Sequence, residues 1–95
     1  MDTKKLLDLV DSLDIEVGWI KKMVHGTFDP RTHKIRLNPE TMMVSVLVHE
    51  IMHMIHPLLS KDEDEDIIDE LTNRVYSKLT KEQVRKIYKK LEVKK

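Results

Sequence analysis

Residues 38–57 read NPETMMVSVLVHEIMHMIHP, and the rest of the chain is best read outward from them. Asn38 followed by Pro39 is a helix start signal, an N-cap residue with proline at the first helical position, and Pro57 marks a stop. The spacing therefore predicts a helix over residues 39–56. Val44, Val46, Leu47, Val48, Ile51, Met54 and Ile55 run nearly all round it, so it should be buried in the centre of the fold. His49, Glu50 and His53 must then lie in the core or line a cleft in it, and an unpaired carboxylate there would cost several kcal/mol.

Within that helix stands HEIMH, residues 49–53. Residues i and i+4 share one face, so the imidazoles of His49 and His53 can converge on a single Zn²⁺. The adjacent Glu50 can reach a water on that ion, which makes the trio the pattern of a hydrolytic centre with Glu50 as its catalytic carboxylate. A catalytic zinc needs a third protein ligand and an open fourth position. The E-x-x-x-D of Glu65 and Asp69 supplies one: Glu65 as ligand, with Asp69 accepting the Nδ1 proton of a zinc-binding histidine and so fixing its tautomer. Glu70, Asp69 and Glu63 are rivals for the ligand role, because the register rests on a pattern. His56 shares the histidine face, but seven helical residues rise about 10.5 Å, too far for it to join His49 on one ion while the helix stays straight. It reads better as a histidine favoured by the C-terminal end of the helix dipole. His25 and His33 read as solvent-facing.

Upstream, Leu6, Leu7, Val10 and Leu13 repeat at helical spacing after Thr3, a candidate cap, predicting a helix over 1–14. Residues 15–37 surround GTFDPRTHK with Val17, Trp19, Ile20, Val24, Ile35 and Leu37, which reads as a β-hairpin or two short antiparallel strands. Downstream, Ser60 with Glu63 and Thr80 with Gln83 form capping boxes, opening an acidic helix over 61–79 and a basic amphipathic segment over 80–95. The expected fold class is α+β: a small antiparallel hairpin or sheet packed on the central helix, followed by the acidic helix and the basic C-terminal helix. At 95 residues this is one domain.

Seventeen basic and 17 acidic side chains cancel, which argues against a nucleic-acid partner. The charges are nevertheless segregated, with DEDEDIIDE over 62–70 and seven Lys and one Arg against two Glu over 78–95. The absence of Cys fits a reducing, cytoplasmic compartment and leaves any metal to His and carboxylates. The apolar stretch over 42–59 is interrupted by polar residues, so no membrane span is expected. Few Asn, Gln and Gly with abundant Lys, Glu and Ile suit a thermophile.

A hairpin ending in IRLNP, a helix with VLVHEIMH and a following EDIID together resemble the gluzincin metallopeptidases. The small size most resembles the minigluzincins, soluble zymogens similar to the catalytic domains of membrane zinc proteases of the HtpX type. The likeness covers about residues 26–79. It implies an endopeptidase with one Zn²⁺ per chain on His49, His53 and Glu65, Glu50 as general base and Asp69 behind the ligands. It further implies that Lys34, Ile35, Arg36 and Leu37 form the edge strand above the cleft, on which a peptide or protein substrate adds as a further strand. Minigluzincins are held latent by their C-terminal segments, so residues 81–95 should cover the cleft. There their lysines would face the acidic run and Glu92 a metal position, and a swap into a second chain would make a homodimer. The larger gluzincins have a C-terminal subdomain that supplies an oxyanion donor; here Tyr76, Tyr88, His33 and Asn38 are the substitutes to weigh. The alternative is a non-catalytic zinc-binding interaction domain, whose metal would be closed by a fourth protein ligand such as His56.

Overall fold

The computed structural model describes residues 2–18, 25–39, 43–59 and 61–93. They form helix α1 (Thr3–Ser12), strands β1 (Asp14–Val17), β2 (Gly26–Asp29) and β3 (Lys34–Leu37), helix α2 (Met43–Ile55), a 3₁₀ turn (Asp62–Asp64), and helices α3 (Glu65–Ser77) and α4 (Lys81–Val93). The fold is α+β. Trp19, Ile20, Val24 and Ser60, read above as strand and cap residues, lie outside the described set, as do residues 40–42. Pro39 itself sits in a turn.

Hydrophobic alternation explains the sheet. Ile15, Val17, Ile35 and Leu37 point to one face and are buried, while Glu16 and Arg36 on the other face meet at 3.1 Å and Lys34 approaches Glu16 at 2.8 Å. The two cations hold the Glu16 carboxyl below the usual carboxylate range, Lys34 first, and Glu16 in turn raises Lys34. Asp29 Oδ1 accepts the Arg31 N–H at 2.9 Å and opens the four-residue loop to β3, which His33 closes at φ 55°.

The strand order is β1-β3-β2, with β2 antiparallel and β1 parallel to β3. This corrects the sequence reading. The expected antiparallel pair exists as β2–β3, but a third strand joins it, so Lys34–Leu37 is the central strand and has no free edge. β1 is taken up because Ile15 and Val17 extend the buried face formed by Ile35 and Leu37.

Helix α2 lies under the sheet and is the hub of the core. Val44, Leu47, Val48 and Ile51 are buried, together with Met43 and Met52. Helix α3 packs on it through Ile68, Thr72 and Val75. Helix α4 packs on α2 and β1 through Ile87 and Leu91, both fully buried. The Thr80–Gln83 capping box forms as expected, with reciprocal bonds of 2.9 and 3.1 Å. At α1 the cap is Asp2, whose side chain accepts the Lys5 N–H at 2.7 Å, and Thr3 instead accepts from the Gln83 amide at 3.2 Å. Among the described residues no ion pair joins the basic helix to the acidic run, and Lys90 pairs with Asp11 of α1 at 2.5 Å. Its apolar stripe is consumed by the core, which is why it seals that side of the molecule rather than crossing a groove.

Candidate metal centre

Helical periodicity alone places Ser45, His49 and His53 on one side of α2 and Glu65, Asp69 and Asn73 on one side of α3. Packing α3 on α2 brings the two rows together. His49 Nε2 and His53 Nε2 are 3.2 Å apart, Glu65 Oε1 is 2.9 Å from His53 Nε2, and Glu65 Oε2 is 3.1 Å from His49 Nε2. The rings meet edge to face with centroids 4.9 Å apart. His49 Nδ1 lies 3.2 Å from Asp69 Oδ1. An imidazole donating from Nδ1 keeps an acceptor lone pair on Nε2. With His49 in that tautomer, its Nε2 lone pair and the two Glu65 oxygens face one central point beside His53 Nε2.

A cation satisfies such a donor set. Tetrahedral Zn²⁺ with ligands at about 2.0–2.1 Å has ligand-to-ligand edges of about 3.3 Å, close to the separations here. Among the described residues these three are the group able to hold a metal ion. Two of the rival carboxylates have other partners. Glu70 points along the exposed side of α3 and pairs with Arg74 at 2.6 Å, and Glu63 lies near Lys61 in solvent. His56 follows the last helical turn, where its N–H bonds to the Met52 carbonyl at 3.0 Å.

Glu50 points between α2 and the sheet and is only 9% exposed, yet it lines the cleft. Burial pushes its carboxyl above the ordinary range, and the neighbouring histidines pull only partly against that. It sits beside the ligand cluster without belonging to it.

The cleft, of about 950 Å³ in its larger part, is bounded by α2, α3 and β2. Here the structure replaces one expected element with another: the wall beside the His49, His53 and Glu65 group is β2, not Lys34–Leu37. Gly26 brings β2 close, since a Cβ there would lie 2.6 Å from Val46 Cγ1. The register also fixes which groups are free. The Asn38 N–H donates to the His25 carbonyl at 2.9 Å, so the pairs 25/38, 27/36 and 29/34 exchange hydrogen bonds, and Gly26 and Phe28 turn their N–H and C=O away from β3, to the side on which no described strand pairs.

None of the expected oxyanion substitutes lines the cleft. Tyr76 packs against the core near Leu79 and Val84, Tyr88 is on the outside of α4, His33 contacts the Phe28 ring, and Asn38 is buried beside the sheet. Among the described residues helix α4 contributes no lining residue to the cleft; its buried side chains, Ile87 and Leu91, pack in the core. Gly26, Phe28, Ser45 and Asn73 were missed as cleft residues. For Ser45 and Asn73 the signal was present, as one further turn on each helix row. No protein-family model, curated protein or solved structure matches the chain.

Proposed function

We propose that the chain is a zinc-dependent endopeptidase of gluzincin type, taking its substrate as an extended strand along β2. One observation carries this reading: two imidazole Nε2 atoms and the Glu65 carboxylate meet within 3.2 Å on the floor of an open cleft, with buried Glu50 beside them. His49, His53 and Glu65 would hold the ion, and Zn²⁺ bound there supplies Lewis acidity toward water and the scissile carbonyl. Asp69 holds the His49 proton on Nδ1 and so keeps Nε2 available as a ligand. Glu50 takes the proton of the attacking water and passes it to the leaving amine nitrogen. Gly26 and Phe28 offer backbone N–H and C=O groups to the peptide, which orders it beside Glu50.

The test is metal content by elemental analysis together with cleavage of an unfolded polypeptide. The wild-type protein should carry about one Zn²⁺ per chain and cleave. Glu50→Gln removes the base but no ligand, so it should keep its zinc while hydrolysis falls by about two to four orders of magnitude. Full cleavage by Glu50→Gln, or a wild-type protein that takes up zinc and cleaves nothing, would overturn the reading.

A further inference from the structure

The cleft changes character along its length. Its two halves share Gly26, His49, Glu50 and Glu65. Beyond these, one half is walled by Phe28, Pro30 and Pro57 with Thr27 and His53, and the other, besides Val46, by His25, Ser45, Asp62, Asp69, Thr72 and Asn73. Strand β2 runs from the polar half, where His25 stands at the rim, through Gly26 to the apolar half at Phe28 and Pro30.

The backbone groups of Gly26 and Phe28 that face away from β3, with no described strand on them, set the direction of an added chain. Antiparallel addition is the more stable pairing, so a peptide on this edge runs from its N-terminal side in the apolar half to its C-terminal side in the polar half. The bond to be cut lies at the shared middle, beside Glu50. Residues before that bond therefore lie against Phe28, Pro30 and Pro57, and residues after it lie among carboxylates. Two of those carboxylates are engaged, Glu65 with both imidazoles and Asp69 with His49 Nδ1. Asp62 is exposed at the rim of the 3₁₀ turn, and no described cation forms an ion pair with it.

We infer that the site selects peptides with a bulky apolar residue immediately before the scissile bond and a basic residue after it, with Asp62 as the residue that reads the cation. This rests on the peptidase reading above and gives it a substrate class.

The test uses the full zinc-loaded chain. Binding is measured on Glu50→Gln by fluorescence anisotropy with four labelled peptides that differ only at their central pair: Phe-Lys, Phe-Glu, Phe-Ala and Lys-Phe. Wild-type products are mapped by mass spectrometry. An exposed ion pair is worth about a two- to fivefold change in affinity, and a like-charge pair costs about as much. Phe-Lys should thus bind about tenfold more tightly than Phe-Glu, with Phe-Ala between, and be cut between Phe and Lys. Asp62→Lys should keep its zinc and shrink the Lys-over-Glu ratio to about twofold or less. Preference for Lys-Phe, equal binding of Phe-Lys and Phe-Glu, or an Asp62→Lys protein with an unchanged ratio would overturn the inference while leaving a working peptidase. If no peptide binds and none is cut, the peptidase reading fails and takes the inference with it.

Discussion

His49 faces two partners with one ring, Asp69 Oδ1 at 3.2 Å from Nδ1 and His53 and Glu65 from Nε2. The consequences differ by residue. An N/O-only site cannot spare an imidazole, so His49→Ala or His53→Ala should abolish zinc uptake, and Glu65→Ala should weaken it strongly. Asp69→Asn should weaken binding about 10- to 100-fold, because only the orientation and basicity of His49 change. Glu70→Ala should leave it unaltered. Competition titration against a chelating dye reads all five, and a dominant effect at Glu70 would reassign the ligand. Far from the cleft, Glu16 supplies a pH signature. Its folded pKa is depressed, so its contribution is present above its ordinary value of 4.5 and is lost as pH falls through the folded value. Glu16→Gln should therefore flatten the acid-side fall in the urea midpoint below about pH 4.5, and an unchanged slope would count against the pairing with Lys34 and Arg36.

Among the elements, β2 approaches α2 closely at Gly26. A methyl group there would meet Val46 Cγ1 at 2.6 Å and the Arg36 carbonyl oxygen at 3.2 Å. Valine is stiff in a helix, so β2 must move. Gly26→Ala should destabilise the protein by about 1–3 kcal/mol, as overpacking does, and the added change Val46→Ala should recover part of that loss. Urea unfolding of the single and double variants checks the coupling. Helix α4 is equally integral. With Ile87 and Leu91 fully buried against α2 and β1, a chain ending at Thr80 should lose its cooperative unfolding transition instead of gaining activity. A folded, more active truncated protein would restore the inhibitory role that its basic, amphipathic sequence suggests.

At the scale of the whole molecule, the proposed metal site couples ion binding to folding. The candidate ligands come from two helices, and in the unfolded chain His53 and Glu65 are not held together, so zinc held on the proposed site would favour the folded state. An ion present at 1,000 times its Kd would add about 4 kcal/mol, and a domain of this size shifts its Tm by about 4–8 °C per kcal/mol. Removing zinc with a chelator should lower Tm by about 15 °C or more, and restoring zinc should reverse the change. His53→Ala should melt at the same temperature with and without chelator. The described residues contain no helix long and apolar enough to cross a membrane.

What the sequence determined by itself is what lies within one helix. HEIMH and the E-x-x-x-D of Glu65 and Asp69 are each set by the 3.6-residue turn, and the apolar girdle of α2 marked it as central, since these are local periodicities that neighbours only reinforce. The Thr80–Gln83 cap was legible for the same reason. The tertiary structure decided what depends on residues far apart in the chain. β3 is the central strand because β1 pairs parallel to it across a separation of 20 positions. The cleft wall therefore fell to β2, whose four residues carry no pattern distinguishing an edge from a centre. Helix α4 shows the same division. Its amphipathic face was evident, but whether it met the cleft or the core depended on which apolar surface was left uncovered once α2, α3 and the sheet had packed, and that surface lay over α2 and β1.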